Sequence, residues 1–176
     1  MPDKSPDKSP DKMPDKKGDQ TFRATKNNEW WPEMTYGGAL SFGRRVYSRD
    51  LQDVDIVISG IPYDNAVTYR PGTRLGPRAI RAGSVQLTEL KQFPSGIEPT
   101  EILSIIDYGD CMIDPHNPTS VFATIEAHAD HILASGAKML SLGGDHSVAY
   151  PLLKAHAKKH GPIALIQFDA HCDTWP

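Results

Sequence analysis

The chain has 176 residues, of which 39% are hydrophobic and 23% are charged, and its formal net charge is −3 at pH 7. That length accommodates one domain with a hydrophobic core. The slightly acidic balance argues against a nucleic-acid-binding surface, and no apolar run reaches the roughly 18 residues that span a membrane. Because the N-terminus lacks the apolar core of a signal peptide and only two cysteines are present, we expect a cytoplasmic protein with free thiols.

Residues 2–17 repeat a four-residue unit, PDKS-PDKS-PDKM-PDKK, in which opposite charges interleave. Proline at every fourth position breaks any helix, and the repeat contains almost nothing apolar to bury. We interpret residues 1–19 as a disordered, charge-balanced tail and residues 20–176 as the N-terminal part of an α/β domain. The alternative is a tail that binds a partner.

Beyond the tail, apolar β-branched runs alternate with segments of helical periodicity. Strands are predicted at residues 53–62, 103–107, 138–142 and 163–168. Helices are predicted from residue 77 onward, over residues 121–135 and over residues 147–160. This alternation predicts a parallel sheet with right-handed crossovers, in which working side chains follow the carboxyl ends of the strands.

The segment Phe168–Asp173 places three metal-ligating side chains at alternate positions, namely Asp169, His171 and Asp173. If the chain is extended there, the three side chains leave the same face of the strand. His146, which follows a Gly-Gly pair after the preceding predicted strand, adds a second imidazole. Carboxylates with few imidazoles suit Mn²⁺ and similar ions, so these four residues are predicted metal ligands.

The other candidates have simpler structural interpretations. Asp145 is equally suited to cap the helix that follows it and to orient a metal ligand. Cys172 alternates with the predicted ligands, so we expect it to be buried in the core without binding metal. Four histidines on predicted helices are interpreted as surface residues: His128, His131, His156 and His160.

Three motifs resemble those of the ureohydrolase family, which comprises arginases, agmatinases and their relatives. They are Gly143-Gly144-Asp145-His146, Phe168-Asp169-Ala170-His171-Cys172-Asp173 and Gly72-Thr73-Arg74-Leu75-Gly76-Pro77-Arg78-Ala79-Ile80-Arg81. The likeness covers about residues 35–176 and is closest to bacterial agmatinases, through cues such as Ile61-Pro62-Tyr63-Asp64 and Asp107-Tyr108-Gly109-Asp110. It implies a three-layer αβα fold with a parallel sheet, arginase/deacetylase-like, which these residues leave incomplete at the C-terminus.

The resemblance also implies two Mn²⁺ ions per active site. By the family pattern His146, Asp169 and Asp173 hold one ion, and Asp169 and His171 hold the other, so that Asp169 bridges them. A hydroxide between the ions attacks the carbon of a guanidinium group, and an agmatinase thereby releases urea and putrescine. The family's further ligands and its catalytic His and Glu are expected beyond Pro176, so we expect the 176-residue chain alone to be inactive.

Several alternatives stay open at this point. The small-molecule guanidino substrate is agmatine or a related compound such as guanidinobutyrate or guanidinopropionate. A further alternative is that the chain is a catalytically inactive ureohydrolase-like fragment or partner subunit. The family resemblance implies a homo-oligomer when the protein is complete, and neither nucleic acid nor membrane is an expected partner.

Deletion of residues 2–17 is expected to leave stability nearly unchanged, because the charged, proline-spaced repeat buries nothing. The midpoint of thermal unfolding should move by less than about 2 °C, which for a chain of this size corresponds to no more than about 1 kcal/mol. A midpoint that falls by many degrees would show that the repeat packs against the domain.

Overall fold

The computed structural model describes residues 33–87 and 91–173. The repeat at residues 1–19 lies outside these ranges, so its interpretation as a tail stays a prediction. The described strands are β1 (Val46–Tyr47), β2 (Ile56–Ile61), β3 (Ile105–Asp110) and β4 (Lys138–Gly143). The described α-helices are α1 (Gly76–Ser84), α2 (Pro99–Ile102), α3 (Val121–Ala134) and α4 (Ala149–His160). No described helix is long and apolar enough to cross a membrane.

The four strands form one parallel sheet in the order β1-β3-β2-β4. Strand β2 is central, and its apolar run Ile-Val-Ile-Ser-Gly-Ile is nearly all buried, as expected for a strand that is covered on both faces. Its register places Ile58 beside Leu140 of β4 and Asp107 of β3. The strands that we predicted at residues 53–62, 103–107 and 138–142 are therefore confirmed.

The two faces of the sheet are covered by different helices. On one face Val57 packs with Ile132 of α3, while Ile61 packs with Ile125 of the same helix. Helix α4 lies against α3, with Ala155 fully buried between them. On the opposite face Ile58 packs beneath Phe42, whose turn contacts α1. Since successive side chains of a strand point to opposite faces, the apolar residues of β2 pack against the layers on both sides of the sheet. The result is a three-layer αβα fold.

The strand predicted at residues 163–168 is wrong. This segment has no strand pairing in the described structure, and Leu165, Ile166 and Phe168 are 60%, 80% and 97% exposed. Its apolar composition satisfies the sequence criterion for a strand, but a strand also needs a neighbour that accepts its backbone hydrogen bonds. Residues 163–167 lie instead along α4, where they line a groove.

A buried ionic network connects α1 to the carboxyl end of β3. The guanidinium of Arg81 donates two hydrogen bonds to Asp107, from Nε at 2.7 Å and from Nη2 at 2.9 Å, and a third to Asp110 at 2.7 Å. The Asp107 carboxylate is fully buried and also accepts the backbone N–H of Phe42. Burial opposes the charge of Arg81, but its hydrogen bonds with Asp107 and Asp110 outweigh that effect and raise the pKa of the guanidinium further.

His128, which we predicted to lie on the surface, is partly buried against the sheet instead. Its Nε2 lies 2.7 Å from the hydroxyl of Ser59 on β2, and the ring packs edge-on against Tyr108. Since the Ser59 hydroxyl donates to the carbonyl of Gly109, its oxygen can accept the Nε2–H of the imidazole. The pKa of His128 is lowered to about 4, mainly by burial and to a smaller extent by Arg49 and His131, against an opposing effect of Asp110.

Replacement of Arg81 by methionine is expected to cost about 3 kcal/mol of unfolding free energy, because it leaves the buried Asp107 carboxylate without its cation. The matched control is Arg78→Met, which removes an exposed arginine from the same helix and should cost less than about 0.5 kcal/mol. Urea unfolding of both variants measures the difference. Equal midpoints for the two variants would contradict the role that we assign to this network.

Acid should destabilise the fold through His128. Its folded pKa is lower than the ordinary value of 6.5, so the unfolded chain binds the extra proton first. The stability that neutral His128 contributes to the fold is fully present above about pH 6.5 and is lost as the pH falls toward about 4. We expect a loss of about 2 kcal/mol over that window, after allowance for the partial exposure of the ring.

His128→Gln preserves a donor to Ser59 and removes the titration, so the variant should lose less stability than the parent between pH 7 and pH 4.5. His131→Gln removes an exposed histidine of the same helix and serves as the control. Unfolding curves measured across this pH range make the comparison. If His128→Gln and the parent lose stability in parallel, the partly buried imidazole is not responsible.

Candidate metal centre

The turn that carries His146 is held tightly against the neighbouring strand. The backbone N–H of Gly144 donates to the carbonyl of Ile61 at 3.1 Å, and that of Asp145 donates to the carbonyl of Tyr63 at 2.8 Å. A Cβ at Gly144 would overlap backbone atoms of both Ile61 and Tyr63, so only glycine allows this approach. The Gly-Gly pair therefore fixes His146 just past the carboxyl end of β4.

Asp145 serves as the helix cap, one of the two roles considered for it. Its carboxylate accepts the N–H of Ser147 at 3.0 Å and so begins the short 3₁₀ helix His146–Val148. The other oxygen accepts the N–H of Ala66 at 2.9 Å. With 5% of its surface exposed, Asp145 orients His146 through the backbone, and the hydrogen bonds of its carboxylate go to Ala66 and Ser147.

Three of the four predicted ligands come together. His146 Nδ1 lies 3.5 Å from an oxygen of Asp169, and His146 Nε2 lies 3.1 Å from an oxygen of Asp173. One ligand atom from each of the three residues lies within 4.8 Å of the others. These are the residues that the family resemblance assigns to a single ion.

His171 lies beside this group and not within it. Its Nδ1 is 3.4 Å from Asp169, and its side chain is 81% exposed. Its backbone N–H donates to Asp169 at 2.8 Å. This hydrogen bond is the largest influence that holds the pKa of Asp169 below its usual range, and the His146 and His171 imidazoles lower it further against the opposing effect of burial. Asp169 is thus the residue that contacts both imidazoles.

The extended geometry that we assumed for residues 168–173 is wrong. The chain bends at Ala170 and His171, and Asp173 has a φ of 50°, in the left-handed region. Strict alternation of side chains therefore fails, and Cys172, expected to be buried, is exposed. Both cysteines are free as predicted, and burial raises the pKa of the Cys111 thiol to about 11, which makes it a poor nucleophile.

A cavity of about 350 Å³ opens at the same edge of the sheet, between the segments that follow β2 and β3. Asp64 and Arg74 form an ion pair on its wall, and the Asp64 carboxylate also accepts the N–H of Gly72 at 2.7 Å. Arg74 holds the pKa of Asp64 below its usual range. Sequence reasoning gave this pair no role, although an Asp after a strand and an Arg in the following Gly-rich loop were both visible.

The donor chemistry of the three-residue group fits Mn²⁺. Two carboxylates and one imidazole form a set that hard and borderline divalent ions accept, and thiolate does not take part. The low pKa of Asp169 keeps that carboxylate ionised at neutral pH, which metal binding requires. Carboxylates and an imidazole thus meet at the carboxyl edge of a parallel α/β sheet, where segments that follow different strands converge.

The family follows from comparison with known proteins. Residues 54–176 match the Arginase family, and the chain belongs to that family. An agmatinase of Chromobacterium violaceum is 63% identical over 145 residues, which cover 82% of this chain and 45% of that protein. An agmatinase of Neisseria meningitidis serogroup C is 49% identical over 122 residues, which cover 69% of this chain and 40% of that protein. The chain spans less than half the length of these relatives.

Solved structures show the same fold. A hypothetical agmatinase from Burkholderia thailandensis superposes with a TM-score of 0.81 at 55% identity, covering 90% of this chain and 50% of that one. Proclavaminate amidino hydrolase from Streptomyces clavuligerus gives 0.74 at 34% identity, covering 82% and 48%. Formiminoglutamase from Trypanosoma cruzi, solved with Mn²⁺, gives 0.54 at 25% identity, covering 65% and 38%. The arginase/deacetylase-like fold class is therefore confirmed.

Proposed function

We propose that the protein carrying this sequence is a manganese-dependent ureohydrolase that converts agmatine to putrescine and urea. The observation that carries the proposal is the grouping of His146, Asp169 and Asp173 at the carboxyl edge of the sheet. This group lies within the region that matches the Arginase family. The 63% identity to an agmatinase supports agmatine as the substrate.

Each residue of the group has a defined task in this proposal. His146, Asp169 and Asp173 hold one Mn²⁺ ion, while Asp169 and His171 hold a second. When bound, such ions would lower the pKa of a coordinated water enough to provide a hydroxide nucleophile for a guanidinium carbon at neutral pH. The backbone N–H of His171 orients the Asp169 carboxylate, and Asp145 fixes the turn that carries His146.

A second candidate is hydrolysis of another guanidino compound, such as guanidinobutyrate or guanidinopropionate. The observation in its favour is the 34% identity and TM-score of 0.74 to proclavaminate amidino hydrolase, an enzyme named for a different substrate. The metal group is common to both candidates, so the tail of the substrate distinguishes them. The third candidate is that the protein is a catalytically inactive partner subunit.

A chimera tests the proposal directly. The 145 matched residues of the Chromobacterium violaceum agmatinase are replaced by the corresponding residues of this chain, and urea release is measured with Mn²⁺. We expect turnover of agmatine in preference to guanidinobutyrate. Asp169→Asn in the chimera should lower turnover by about three orders of magnitude or more, because several kcal/mol of transition-state stabilisation depend on the metals.

Asp130→Asn is the matched control, since this partly exposed carboxylate pairs with Lys158 on the helices and should leave turnover unchanged. Asp173→Asn should be milder than Asp169→Asn, because Asp173 serves one ion only. Substantial urea release by the Asp169→Asn chimera with both metals bound would refute the ligand assignment. A folded parent chimera that hydrolyses no guanidino compound would favour the inactive-partner reading.

A further inference from the structure

Two histidines lie one helical turn apart at the end of α4, outside the metal group described above. His156 and His160 occupy positions i and i+4, which share one face of a helix. Their ring centroids are 6.2 Å apart, and the ring planes are inclined by 35°. Two imidazoles at this spacing can donate one nitrogen each to a single ion with only small rotations of the side chains.

The hydrogen bond of His156 Nδ1 leaves Nε2 available to bind a metal ion. Its Nδ1 lies 2.8 Å from the backbone carbonyl of Leu152, and because a carbonyl can only accept, Nδ1 carries the proton. In the neutral imidazole Nε2 therefore keeps its lone pair. A backbone carbonyl that fixes the tautomer in this way is the usual outer partner of a metal-bound histidine.

Two of the three lysines on α4 are paired with carboxylates of α3. Lys158 contacts Asp130 at 2.6 Å and Lys154 contacts Glu126 at 2.7 Å, so both ammonium groups are neutralised on the side of α4 that faces α3. His156 and His160 instead line a groove of about 490 Å³ between α4 and residues 163–167. Most of the residues that line this groove are apolar.

The geometry points to a second metal site, in which His156 and His160 chelate a borderline divalent ion of the Cu²⁺, Ni²⁺ and Zn²⁺ class. An all-imidazole pair without a carboxylate favours these ions over Mn²⁺, which stands at the weak end of the affinity series. The chain thus carries two metal sites of different chemistry. This inference does not depend on the proposed enzymatic activity.

Titration of the 176-residue chain with Cu²⁺, followed by electron paramagnetic resonance, tests the second site. We expect a Cu²⁺ signal with splitting from two imidazole nitrogens, distinct from the signal of Cu²⁺ held by the His146, Asp169 and Asp173 group. His160→Gln should weaken that binding by at least about tenfold, as loss of a ligand exceeds the effect of losing an outer partner. Because His160 is exposed, the variant should retain its fold, and circular dichroism verifies this.

Two controls separate this site from other histidines and from the carboxylate-rich group. His116→Gln, at a fully solvated histidine (93% exposed), should leave the two-nitrogen Cu²⁺ signal intact, and so should Asp169→Asn. Mn²⁺ affinity should be the same in the parent and in His160→Gln. The inference is overturned if His160→Gln and the double variant His156→Gln/His160→Gln keep the parental Cu²⁺ affinity, or if His116→Gln lowers it equally.

Discussion

The carboxylate of Asp145 is the constraint on which the candidate metal centre depends. It accepts N–H groups from both Ala66 and Ser147, and so it joins the segment after β2 to the turn after β4. A side chain at residue 144 would overlap the backbone of Ile61 and Tyr63, so Gly144 allows the two segments to approach closely. They cannot separate without loss of several backbone hydrogen bonds. His146 is therefore presented by a rigid element, which is what a precise metal site needs.

Carboxylates at this edge of the sheet divide into two kinds. Asp64, Asp107 and Asp145 are each at least 95% buried, and their oxygens accept backbone N–H groups or arginine side chains. Asp169 and Asp173 are more exposed, and their nearest charged partners are imidazoles. A carboxylate that is saturated by buried donors stabilises the fold, whereas a more exposed one whose ionisable partners are imidazoles is available to a cation.

The central part of the fold could be predicted from sequence because each element there is specified locally. The apolar run of β2 and the helical spacing of α3 and α4 required no knowledge of their neighbours. The segment 163–168 has an equally strong composition, yet strand formation depends on a partner strand that composition does not reveal. The same limit applies to His128: helical spacing fixes its face, but only the packed structure shows that Ser59 meets it.

Three of the four predicted ligands lie together, but the physical reason for their proximity differs from the one assumed. Side-chain alternation along an extended strand would have placed Asp169, His171 and Asp173 on one face. In the structure a bend and the left-handed backbone of Asp173 bring Asp169 and Asp173 to His146, and they leave His171 beside Asp169 only. A positive φ at an aspartate is uncommon but tolerated, and nothing in the spacing of the motif indicates it.

The metal group and the neighbouring cavity are carried by different segments of the chain. The ligands follow β4 and lie in residues 169–173, whereas the cavity is formed by the segments after β2 and β3. Such loops can change without altering the strands that hold the ligands. In the proposed enzyme the metals define the reaction at the guanidinium carbon, so discrimination among guanidino compounds has to come from contacts to the rest of the substrate. The Asp64–Arg74 ion pair and the hydrogen bond from Gly72 hold the loop after β2 on the wall of this cavity.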